Sequence, residues 1–269
     1  MSEAGKAIRL NRILRRPRGR ALIIAFDHAL MLGPIPGTEN PSAMLARFVE
    51  GRVDGVLVSL GMLREHFRPL LAPGAPAVIA RIDWTDVWRR PGASQSGEFR
   101  SCLVGRVEDA LRLGADAVLT YMFIGSGSPE VEAAEVAKNA QVSRECERLG
   151  VPHIIESMAR GQEVANPGDV EWIRLHTRMA AELGADLIKT DYPGDEESLR
   201  SVVAGCPAPI LLAGGPKQSS DDQVLKMIGD IVSAGAAGVI FGRNVFQAED
   251  MNSFLAQASA LLTPDPSQP

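Results

Sequence analysis

Lysine is scarce in this chain, with five residues against 23 arginines in a length of 269. Cysteine is scarcer still: Cys102, Cys146 and Cys206 are scattered and share no metal-ligand spacing. An odd, unpaired set of thiols argues against a disulfide framework and suits a reducing compartment. Positive charge is in deficit, with a net charge of −5, which argues against a nucleic-acid partner held through its phosphates. No apolar run approaches the roughly 18 residues that span a bilayer, so no membrane partner is expected. The N-terminus, MSEAGKAIRLNRILRRPRGR, is basic but has no apolar signal core, and the expected location is cytoplasmic. A GxGxxG after the first strand and a GxSxG elbow are both missing, which counts against a dinucleotide fold and a hydrolase elbow. No His/Cys/Asp/Glu set has a metal-binding spacing, so neither metal nor cofactor is expected.

What is present is a repeated unit. Small residues, three times with an aspartate, lead into an apolar run, and a polar or glycine-rich loop follows. Val53-Asp54-Gly55, Gly114-Ala115-Asp116, Gly184-Ala185-Asp186 and Gly235-Ala236-Ala237-Gly238 each open such a run. With ALIIAF, PAVIARI, PHIIES and PAPILLAG the chain holds eight short apolar runs. Consecutive apolar positions suit parallel strands covered on both faces. Amphipathic helical patterns over 105–113, 130–149, 170–183 and 220–234 fill gaps between them. Eight strands alternating with helices in about 250 residues predict a single (β/α)8 TIM barrel over 21–260. Residues 1–20 form a basic helical extension, expected to turn Ile8, Leu10, Ile13 and Leu14 inward and to leave its arginines solvated. Residues 261–269 are read as a flexible tail.

Barrel chemistry sits at the C-terminal ends of the strands. The fourth run ends there in Tyr121-Met122 and the fifth in Glu156-Ser157-Met158. Asp27 and His28 close the first run, and Lys189, in ADLIKTDY, closes the sixth. Burying an ammonium is costly, and desolvation favours the neutral amine that attacks a carbonyl. The bland alternative is a brace paired to Glu156, Asp191 or Asp27. AGGPK and FGRNVF put Gly214, Gly215, Lys217, Gly242 and Arg243 at two adjacent strand ends, a recurrent phosphate position. Trp84 and Trp88, in DWTDVWRR after the third run, suit a lid, a wall or a subunit contact.

These segments together resemble the class I aldolase family of archaeal-type fructose-bisphosphate aldolases, aminodideoxyheptulosonate synthases and the autoinducer-2-phosphate thiolase. The resemblance runs from about Leu10 to Gln247 through RLNRIL, FDHALMLGP, DLIKTDYPGD, AGGPK and GVIFGRNVFQ. It implies a Schiff-base lysine at Lys189 with Asp27 beside it. It implies a phosphate site on Gly214, Gly215, Gly242 and Arg243, with Lys217 added. It also implies a homo-oligomer, a pentamer or decamer ring. The implied activity is a class I aldolase, a metal-independent aldehyde-lyase acting on a phosphorylated ketose or ketone. Alternatives are acyl transfer (thiolysis) on a phosphorylated diketone, or a non-catalytic sugar-phosphate-binding barrel. One departure stands out. The family's W-x-Y-P-R-G reads here Glu156-Ser157-Met158-Ala159-Arg160-Gly161. Met158 cannot move a proton where the family has tyrosine, which leaves Glu156, His28 or Tyr121 for acid–base work.

Overall fold

A computed structural model describes residues 2–89 and 92–263. Eight parallel strands close into a barrel: β1 Ala21–Ala25, β2 Gly55–Ser59, β3 Ala77–Arg81, β4 Ala117–Ile124, β5 His153–Ala159, β6 Leu187–Thr190, β7 Ile210–Ala213 and β8 Gly238–Phe241. Each strand pairs with its sequence neighbours, and β1 closes on β8 with Ala21 opposite Gly238. The expected (β/α)8 barrel is therefore the fold. The helices cover the outside because their apolar faces and the outward strand residues form one continuous core. Inside, Ile23, Leu57, Ile79, Leu119, Ile154, Leu187, Leu211 and Ile240 fill the barrel. Burying each such side chain is worth roughly 1.5–3 kcal/mol.

The aspartates of the repeated unit have a clear structural task at the lower rim, where the strands begin. Asp54 accepts the Leu22 N–H at 2.8 Å, Asp116 that of Val78 at 3.0 Å, and Asp186 that of His153 at 2.8 Å. The helix Ser2–Ile13 and the residues just after it lie across this end and answer each acid with a cation. Lys6 reaches Asp186 at 3.0 Å and Arg12 reaches Asp116 at 3.0 Å; Arg15 reaches Asp54 at 2.7 Å, and Arg16 binds its other oxygen. Two expectations are corrected here. These basic residues are largely paired rather than solvated, because the barrel presents acids where they land. Ile8 is 57% exposed, whereas Ile13 is buried and Leu10 and Leu14 pack partly against the barrel interior.

β4 and β5 both run further than the apolar runs suggested, so Tyr121, Glu156 and Met158 lie within strands rather than at their ends. Between β3 and β4, Asp83–Thr85 and Ser101–Leu103 form an antiparallel ribbon that the sequence did not disclose. Residues 261 and 262 complete the last helix, Met251–Leu262, and Leu262 is buried; 264–269 and Arg90 lie outside the described residues.

Candidate active site

Alternation along a strand turns every second side chain to the same side. Inward Ile79, Leu119, Ile154 and Leu187 are therefore followed, two residues on, by inward Arg81, Tyr121, Glu156 and Lys189. A polar layer thus rests directly on the apolar filling. Tyr121, Glu156 and Lys189 share one cross-strand row, since Tyr121 pairs with Glu156 and Glu156 with Lys189.

Arg81 organises this layer. It is 1% exposed, and its guanidinium binds Asp27, Glu156 and, at 3.1 Å, Asp83. Burial alone would lower its pKa, but Tyr121 and the three carboxylates hold it well above the usual arginine value. Its Cζ lies 3.8 Å from the centroid of the Tyr121 ring. Lys189, 6% exposed, sets its Nζ 2.7 Å from Glu156 Oε1. Glu156 is thus held between two cations, one oxygen on each. Burial works to raise the Asp27 carboxyl, yet Arg81, His28 and Lys189 outweigh it and hold it below the usual aspartate value. Asp83 in turn accepts the Tyr121 N–H at 2.7 Å and pairs with Lys138 at 3.0 Å.

Asp27, Tyr121, Glu156 and Lys189 form the floor of a cleft of about 410 Å3 lined also by His28, Trp88, Met158, Arg160 and Asp191. Arg160 pairs with Asp191 at 2.8 Å and lies 5.2 Å from the Trp88 ring. His28 sits edge-on to Phe246 at 5.5 Å, and its Nδ1, 3.8 Å from Asp27, makes no hydrogen bond. Burial, with Lys189 and Arg243 nearby, depresses its pKa against the pull of Asp27, so the imidazole is neutral near pH 7.

The loops after β7 and β8 form one wall of the cleft. Asn244, fully buried, donates to Gly214 O at 2.7 Å and to Pro216 O at 3.2 Å, and accepts from Gln218 N–H at 2.8 Å. It ties the two loops into a single cradle. A Cβ at Gly242 would stand 2.4 Å from His28 Cε1, so only glycine fits there. Arg243 lines the cleft, and its Nε has no hydrogen-bond partner. Lys217, expected at this site, does not line the cleft. Its ammonium pairs at 3.0 Å with Asp221, four residues on, in the first turn of the following helix.

The structure thus gathers Asp27, His28, Glu156, Lys189, Gly214, Gly215, Gly242 and Arg243 in one cleft. Sequence reasoning gave no role to Arg81, Asp83 or Asn244. The signal for Arg81 was available: an arginine inside the apolar run PAVIARI, where only a fully paired cation is tolerated.

Known proteins resemble this chain over nearly its whole length. The model of the DeoC/LacD family of aldolases matches residues 21–248. An uncharacterised aldolase of Saccharolobus solfataricus is 34% identical over 96% of this chain and 94% of its own. A 2-amino-4,5-dihydroxy-6-oxo-7-(phosphonooxy)heptanoate synthase of Streptomyces griseus is 31% identical over 96% and 90%. The solved structure of an archaeal fructose-1,6-bisphosphate aldolase, its catalytic lysine bound covalently to a carbinolamine of the substrate, superposes with a TM-score of 0.82. It is 28% identical and covers 95% of this chain and 98% of its own. The chain belongs to the DeoC/LacD aldolase family.

Proposed function

We propose that this aldolase makes or cleaves a C–C bond of a phosphorylated ketone through a Schiff base on Lys189. The observation that carries this is the Lys189 amine, buried at the cleft floor and 2.7 Å from Glu156 Oε1. Glu156 is placed to take the ammonium proton, which frees the lone pair for attack on the carbonyl carbon. Asp27, also in the cleft, is assigned to orienting the carbinolamine hydroxyl for its loss as water. The iminium then draws the electrons of the breaking C–C bond, giving an enamine. Backbone at Gly214, Gly215 and Gly242, with Arg243, is assigned to the phosphate, so that a remote group fixes the carbonyl over Lys189.

Two relatives support the substrate class. The synthase's compound carries a 6-oxo group beside a 7-phosphonooxy carbon, and fructose 1,6-bisphosphate likewise carries its ketone beside a phosphorylated carbon. A ketone one carbon from a phosphate ester is the shared unit. The test is a panel of phosphorylated ketoses assayed for aldehyde release by wild type and Lys189→Met. Loss of all release in the variant supports the reading, and full retention sinks it. The same reading includes a cytoplasmic homo-oligomer. What supports it is three unpaired thiols and Leu175, 48% exposed beside Met179 and Leu183 in a surface groove. Sedimentation would count the subunits.

A further inference from the structure

The Schiff-base reading leaves one proton without a carrier: that of the hydroxyl beside the scissile bond. Met158, two residues along β5 from Glu156 and on the same side of the strand, has no titratable group. Glu156 has both oxygens engaged, by Lys189 and Arg81. His28 stands against Gly242 and Phe246, at the phosphate wall.

We propose that Tyr121 is the catalytic residue that moves this proton. The proposal rests on the Schiff-base reading and goes beyond it. Strand order gives the geometry. In the closed ring β4 lies across from β8, and β6 lies midway between them. A ketone on Lys189 of β6 whose phosphate points to the β7–β8 loops therefore extends its remaining carbon chain toward β4 and Tyr121. Tyr121 shares the row of Glu156 and Lys189 and lines the cleft. Its ring stacks on Phe123 with centroids 5.0 Å apart, which fixes its direction. Its hydroxyl accepts the Trp88 Nε1–H at 3.0 Å. Among the described residues no hydrogen bond uses the hydroxyl's own proton, so that proton is left for a ligand.

The proton count closes over one turnover. Tyr121 gives its proton to the oxygen that leaves the carbinolamine as water, and becomes a phenolate. Arg81 over the ring, the Trp88 N–H and the new iminium stabilise that charge. The phenolate takes the proton of the substrate hydroxyl as the C–C bond breaks; the aldehyde departs, and the bonding pair enters the iminium to give the enamine. Tyr121 then protonates the enamine carbon. It recovers its proton from the water that hydrolyses the iminium. In the resting enzyme burial keeps the phenol pKa well above its usual value despite Arg81, so each turnover starts from the donor form.

The test uses dihydroxyacetone phosphate with the whole enzyme. Two quantities are read: borohydride trapping on Lys189, and exchange of the ketone's α-hydrogen with deuterium oxide. Tyr121→Phe keeps the ring against Arg81 and Phe123 and removes only the hydroxyl. Trapping is read after prolonged incubation, because a proton donor sets how fast the iminium forms and not how much is present at equilibrium. The expected result is an equilibrium adduct within about twofold of wild type and exchange lowered by roughly 10²–10⁴. Trp88→Phe, which removes the N–H donor, should lower exchange less and move its alkaline pH limb upward. Tyr121→Phe exchanging at the wild-type rate overturns the assignment. So does loss of trapping together with exchange, or a wild type that traps without exchanging. A wild type that does not trap at all instead defeats the Schiff-base reading.

Discussion

At the lower rim three aspartates each hold one strand N–H and at least one cation from the N-terminal segment 6–16. At the upper level three carboxylates converge on one buried guanidinium, and a lysine stands beside them at the floor of a cleft. The residue types are the same. The difference lies in what remains available once the pairs are made. Below, each acid is consumed by backbone and counter-ion. Above, Arg81 pairs with the carboxylates and holds the Asp27 carboxyl below the usual aspartate value despite burial, while the Lys189 amine stands at the cleft floor. Burying unpaired charge costs several kcal/mol, so Arg81 is what permits this polar layer to sit on an apolar one.

Substitutions at the two ends should therefore separate activity from stability. Lys189→Met should abolish trapping and lower turnover by at least ~10⁴-fold, with the thermal midpoint kept. Glu156→Gln should lower turnover by roughly 10²–10⁴ while circular dichroism stays native; a near-normal rate would remove Glu156 from the proton path. At the other end, Asp54→Ala strands Arg16 and the Leu22 N–H. It should cost about 3 kcal/mol of stability by urea titration, with unchanged turnover per folded molecule. Arg12→Ala breaks a pair whose arginine is 65% exposed, and its cost should stay below about 1 kcal/mol.

Between these in size lies a pH effect that comes from buried imidazoles rather than from the ion pairs of either rim. Burial depresses His153 and His176 to about 3. Each is neutral when folded but takes a proton on unfolding below about pH 6.5. Their contribution is thus complete above pH 6.5 and is lost as pH falls from there toward 3. The slope is about 1.4 kcal/mol per pH unit for each histidine. A His153→Gln/His176→Gln protein should lose that part of the slope in urea titrations at stepped pH.

The barrel was legible because eight apolar runs and their intervening helical patterns are local signals. Lys189 and the glycine cradle were legible as strand ends in quoted motifs. The ring of partners was not, because Arg81 meets Asp27, 54 positions away, and Glu156, 75 positions away, only after closure. Lys217 has a local partner that its motif did not disclose, Asp221 one helical turn on. The basic N-terminus looked solvated because its acids, Asp54, Asp116 and Asp186, are spread over three repeats.

The central claim is that the Lys189 amine is the nucleophile. Borohydride reduction with dihydroxyacetone phosphate, followed by peptide mass spectrometry, tests it directly. The account predicts one stable adduct on the peptide that contains Lys189. An adduct on Lys138 or Lys217, or retained trapping in Lys189→Met, would contradict it.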